Sequence, residues 1–300
     1  MKNQNPRWPI RHLAAALLCV LATAPLTFAW TPPANPDFAT PFAKATVWDV
    51  ITAKNNSGKV GRGNPTSSPP TNLSELGNVS LRALQLYRYD ASRILSSQSS
   101  LGLSDFASTA DYLAYVSSLV QLQIQLHDIP YTVTNACGVT SAPTTTLKSD
   151  VFVPGPYGRA VFLLKSLNLA ALSAVNPSAA TTGETFEGTF VRRMASELVP
   201  HANLLLTRRL LGYGNRELSI LMGNFVLYRM YGDGSMSLSG LGLSPADLSA
   251  TQAHLALNAT IVENYWNDLM THVEPDENSS NYTRIGLRAI LNLADILGKT

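Results

Sequence analysis

From Leu73 to Leu95, apolar side chains return every third or fourth residue: Leu73, Leu76, Val79, Ala83, Leu84, Tyr87, Ala91, Ile94 and Leu95. That spacing sets them on one stripe of a 3.6-residue helix, and it does not fit a strand, whose period is two. A helix with a single apolar stripe must bury it against another element. The same rhythm recurs in Phe106, Ala110, Leu113, Val116, Val120 and Ile124. It recurs again in Phe186, Phe190, Met194 and Leu198, and in Leu248, Leu255, Ala259, Val262, Trp266, Leu269 and Val273. The chain is therefore predicted to be all-α, a bundle or stack of helical hairpins with about seven helices.

Punctuation places the ends of these helices. Asn72 and Glu75 have capping-box spacing, and Ser104 with Asp105 is the expected start of a second helix that Pro130 stops. A third helix is expected over about 157 to 175, ended by Asn176-Pro177. Pro200 is expected to close or kink the segment that carries Phe186 to Leu198. Gly212, Gly214 and Asn215 mark the turn of a hairpin spanning 201–231. Ser244, Pro245 and Asp247 make the clearest helix start, and Ile285, Ala289, Ile290, Leu293 and Leu297 mark a last helix over 281–298. The short "DVFVPG", 150 to 155, is the one stretch with a hint of strand alternation.

The N-terminal quarter reads differently. Lys2, Arg7 and Arg11 precede an apolar run from Leu13 to Leu21, and Thr27 and Ala29 supply small residues at a cleavage point near Ala29. This is the layout of a secretory leader over 1–29, and the run is shorter than the roughly 20 residues that span a bilayer. Residues 30–71 hold prolines at 32, 33, 36, 41, 65, 69 and 70, and are expected to form an irregular arm, ordered only where 38–51 lies against the body through Trp48, Val50 and Ile51. The helical domain is expected over 72–300.

Leader removal changes the charge argument. The chain has 22 Lys and Arg against 20 Asp and Glu, net +2; three of the basic residues and no acid leave with residues 1–29, so the mature net charge is about −1. Such a chain lacks the basic footprint of a nucleic-acid binder. It also has 14% charged residues against about 25% in typical soluble proteins. Cys19 lies in the leader and Cys137 is the other cysteine, so no internal disulfide is available and packing must stabilise the fold.

Cys137 stands in a run of Thr, Ser, Gly and Pro, ten residues after His127. A catalytic thiol needs a base, and His127 and His201 are the candidates; the alternatives are an intermolecular disulfide and an inert small side chain, the commonest fate of an unpaired cysteine. Glu184, Glu187, Glu197 and His201 are ligand-type residues, with Glu197 and His201 four apart as a metal pair would be. Pro200 between them and Arg192 and Arg193 beside them favour ordinary surface ion pairs. The acidic loop "HVEPDE", 272 to 277, lacks the oxygen ladder of a calcium loop.

Arg208, Arg209, Tyr213, Arg216, Tyr228, Arg229 and Tyr231 cluster along the 201–231 hairpin. Arg and Tyr are enriched at protein interfaces, so this is the expected binding surface, against the alternative of Arg stems lying over a helical core. No motif calls for a cofactor. The sequence points first to an exported helical binding or assembly protein of the cell envelope or extracellular space, partnered by another protein or an envelope component. A second reading is an exported hydrolase using Cys137 with a His base or a Glu/His site near 184–201. A third is a helical protein acting at a membrane surface.

Overall fold

A computed structural model describes residues 39–56, 73–128, 154–208 and 215–271. They form nine helices: α1 (Ala39–Asn55), α2 (Leu73–Asp90), α3 (Ser92–Ser100), α4 (Thr109–Asp128), α5 (Pro154–Leu167), α6 (Leu169–Ser173), α7 (Phe186–Arg208), α8 (Asn215–Tyr231) and α9 (Pro245–Thr271). Among the described residues, β structure is limited to an isolated bridge between Val175 and Thr185. The all-α expectation is met. Cys137, Arg209, Tyr213, the last expected helix and most of "DVFVPG" lie outside the described residues; Pro154 and Gly155 open α5.

Several boundaries differ from expectation, each for a local reason. The predicted 73–95 helix is interrupted at Ala91, where the Asp90 carboxylate accepts from Ser92 Oγ at 2.8 Å and Arg93 Nε at 2.5 Å. α4 begins at Thr109, not Ser104. Ser108 is its cap, accepting from the Asp111 amide at 3.1 Å while donating to the Asp111 carboxylate at 2.9 Å. Asn168 separates α5 from α6 by accepting from the Ala171 amide. α7 runs through Pro200, although that residue cannot donate to the Ser196 carbonyl. Ser244 caps α9 as expected, accepting from the Asp247 amide at 3.1 Å.

The ordered stretch of the arm takes a form that the sequence reading left open, and the rest of the arm, apart from Asn56, lies outside the described residues. Residues 39–55 are helical, and Ala43, Val47, Val50, Ile51 and Ala53 on one face of α1 enter the core. Pro41 does not prevent this, because it lies in the first turn, where amides have no partner within the helix. Val50 and Ile51 are contacts as anticipated, but Trp48 points outward, 52% exposed.

The core gathers side chains from every helix, with Tyr112, Tyr157, Phe190, Phe225 and Tyr265 among its largest fully enclosed members. Small residues set the closest approaches. A Cβ on Gly158 of α5 would sit 3.6 Å from Met194 of α7 and from Val226 of α8. The N-terminus of α7 is docked on the 232–244 turn: the Leu241 carbonyl accepts from the Thr185 amide at 2.9 Å, and Thr185 Oγ1 accepts from the Gly188 amide at 3.0 Å. Gly242, at φ +71°, completes that dock, and a Cβ there would meet the Gly183 carbonyl oxygen at 2.1 Å. Gly102 has nearly the same φ, +70°, but has open space around it. Gly102→Ala should therefore cost only the left-handed strain, about 1–2 kcal/mol. Gly242→Ala adds a backbone clash and should lower the urea midpoint clearly further.

Candidate functional site

α7 positions the chemistry. Its apolar stripe, Phe186, Phe190, Met194 and Leu198, is buried as predicted. Next to that stripe, Arg192, Arg193 and Glu197 meet the last two residues of α4, His127 and Asp128. The contacts form one chain, alternating in charge from Glu184 to Glu197 and ending on His127. Glu184 Oε1 takes Arg192 Nη2 at 2.9 Å, and the same nitrogen reaches Asp128 Oδ1 at 3.2 Å. Asp128 Oδ1 lies 3.4 Å from Arg193 Nε, Arg193 Nη2 bonds Glu197 Oε1, and Glu197 Oε2 lies 3.0 Å from His127 Nε2. Glu184 is fully enclosed, His127 is 2% exposed, and none of these side chains exceeds 16%.

Burial disfavours a charged guanidinium at Arg192, but the hydrogen bonds and charges of Glu184 and Asp128 outweigh it, and the proton is held more tightly than usual. Tyr157 of α5 closes the site, its ring edge-on to His127 at 5.4 Å between centroids. Burial pushes its phenol well above the ordinary range; Glu197 and Asp128 push the same way and Arg193 against. A carboxylate can only accept, so the hydrogen shared with Glu197 belongs to His127 Nε2. His127 Nδ1 and the Tyr157 hydroxyl are then left enclosed without a hydrogen-bond partner.

A second ion pair, with a buried carboxylate and a partly exposed lysine, lies further toward the α7 N-terminus. Glu187 Oε1 accepts from Lys165 Nζ at 2.7 Å and from the Tyr231 hydroxyl at 2.9 Å. Burial, then the charge and hydrogen bond of Glu187, raise the Tyr231 phenol.

These contacts correct two expectations, the surface placement of Arg192 and Arg193 and the binding role of Tyr231, and they leave the disfavoured Glu197–His201 pairing unformed. Glu197 and His201 are not a metal pair: Glu197 spends its two oxygens on Arg193 and His127, and His201 is exposed. Among the described residues, no group of three or more His, Cys, Asp or Glu could hold a metal ion. Arg192 and Arg193 are interior rather than surface partners. Tyr231 belongs to the core, not to a binding surface, although Arg229 is exposed and Tyr228 half-buried as a contact surface requires. Arg208 ends α7 and Arg216 follows the first residue of α8.

Sequence reasoning missed Asp128, Tyr157 and Lys165. A signal existed for the site: His127 continues the spacing of Val116, Val120 and Ile124, so it occupies a core position of α4.

The outer surface offers a different feature. Pro41, Phe42, Ala45 and Trp48 are exposed along α1, and Tyr89, at the end of α2, is exposed with the Arg88 guanidinium over its ring at 5.5 Å. No helix among the described residues is long and apolar enough to cross a membrane. No family model, curated protein or solved structure matches this chain.

Proposed function

We propose that this chain is an exported helical binding or assembly protein of the cell envelope or extracellular space, acting through its surface and not through catalysis. The observation that carries the reading is where the reactive side chains lie. A catalytic group must touch its substrate, yet His127, Glu184, Arg193 and Tyr157 are buried and Glu197 is 9% exposed, and, the His127 Nδ1 and Tyr157 hydroxyl apart, they are engaged with one another or with Arg192 and Asp128. Such a network locks α4, α5 and α7 together. The groups left outward are the kind that anchor interfaces: an exposed Trp, Tyr and Arg, which bury large area at low entropic cost.

The test is partner capture. Trp48→Ala and Arg229→Ala remove exposed groups, so each should leave the melting temperature within about 1–2 °C of the parent. Trp48→Ala should release most of any partner retained by the mature protein in a gentle pull-down from its native envelope. Undiminished capture by both variants sinks these two surfaces.

A second reading is favoured by one specific observation. His127 is held by Glu197 through Nε2 with Nδ1 unpartnered, the arrangement that orients a histidine as a general base. On this reading His127 serves the Cys137 thiol, and the chain is an exported hydrolase. Cys137 is the sole thiol after leader removal, so iodoacetamide reports on it alone. Near neutral pH the parent should react at least roughly tenfold faster than His127→Gln, because the thiolate is the reactive form. Equal rates would end this reading and leave the first in place.

A further inference from the structure

Six Asn-x-Ser/Thr sequons follow the leader, at Asn55, Asn72, Asn78, Asn258, Asn278 and Asn281. Chance alone gives roughly four, so their number does not prove glycosylation. The fold gives one of them a meaning. Asn258, in the middle of α9, is completely buried, and its Nδ2 donates to the Asn224 carbonyl of α8 at 3.0 Å. A glycan would replace a hydrogen on that same nitrogen and bring a bulky, hydrated oligosaccharide into the seam where α9 packs on α8. Glycan transfer to sequons acts on the nascent chain, before packing can hide the asparagine. Asn-Ala-Thr has no proline to block it, and Thr260, which completes the sequon, faces solvent.

We infer that this chain reaches its fold along an export route that does not transfer N-linked glycans to sequons, because a glycan on Asn258 and the packing of α9 on α8 exclude each other. The inference rests on the export reading and narrows it to a bacterial type of envelope. Asn258 is thus a modification site whose use would be incompatible with the native state.

The experiment uses the full chain in a eukaryotic secretory host. The other five sequons are removed by Ser57→Ala, Ser74→Ala, Ser80→Ala, Ser280→Ala and Thr283→Ala; the Ser80 hydroxyl is buried without a hydrogen-bond partner, so its loss is benign. That protein is compared with its Thr260→Ala partner. One arm keeps the chain's own leader, and a parallel arm places an established secretory leader ahead of it. With Thr260 present, the expected product is glycosylated at Asn258 and retained in the cell, with a secreted yield at least tenfold below that of Thr260→Ala. In a bacterial envelope the two proteins should have equal yields and melting temperatures. A folded, secreted protein carrying a glycan on Asn258 overturns the inference, as do equal secreted yields or an Asn258 left unmodified in every fraction. Export that fails with the chain's own leader but succeeds behind the established one counts against the export reading alone, and the Thr260 comparison still decides the inference.

Discussion

Arg192→Ala is expected to lower stability by about 3–5 kcal/mol, the cost of stranding buried carboxylates by deleting their partner. Glu184 has no exposed surface and Asp128 has little, and Arg192 is the link between them. For a domain of this size the loss corresponds to a fall of roughly 10 °C in melting temperature. Arg88→Ala, an exposed change, should stay within about 0.5 kcal/mol. Arg192→Lys should fall between, because one ammonium cannot reproduce the fork that serves two carboxylates. Replacing Glu184, Asp128 and Arg192 together by Leu should recover most of the loss if the network only holds helices together, since apolar residues of similar volume often match a buried ion pair. A single Arg192→Ala variant with parent-like stability would contradict the burial of these carboxylates.

The contrast between what could and could not be read from the sequence follows from locality. Where side chains are described, the stripes of α2, α4, α7 and α9 were legible, the exposed Ala110 apart, because an amphipathic helix encodes its own buried face, whatever it packs against. Phe186, Phe190, Met194 and Leu198 illustrate this, since all four are buried. Arg193 and Glu197 show the limit. Their four-residue spacing is the same on a surface helix as in an interior. What buries them is the end of α4, some 65 residues earlier in the chain, and no local signal announces that docking. Tyr231 was misread for a related reason: its place among clustered Arg and Tyr residues suggested a binding surface, while the carboxylate that satisfies its hydroxyl, Glu187, stands 44 residues away. The helix of α1 was hidden by composition. Prolines on both sides suggested irregular chain, although the 39–55 stretch has only Pro41, placed where a helix tolerates it. His127 is the instructive intermediate case, because its core position was visible in the spacing of α4 but its Glu197 partner was not.

Phe190→Ala tests whether the aromatic packing and the charged site are one structure. Phe190 is fully enclosed, and its ring meets Tyr157 edge-on at 5.4 Å; Tyr157 meets His127 in the same manner at the same distance. Truncation removes an entire buried ring and leaves a cavity, a change that typically costs about 3–5 kcal/mol, whereas Phe190→Leu refills much of the space at a considerably smaller cost. The loss should not remain local. Edge-to-face pairs fix ring orientation as well as filling volume, so Tyr157 gains room to tilt and His127 loses the wall that holds it against Glu197. Amide hydrogen exchange over the last turn of α4 should therefore quicken in Phe190→Ala by more than global destabilisation accounts for, while the far end of α4 near Tyr112 should follow the global change. If the last turn instead tracks the rest of the helix, the His127–Glu197 contact is held by its own hydrogen bond alone, and the aromatic column contributes packing energy without positioning the site.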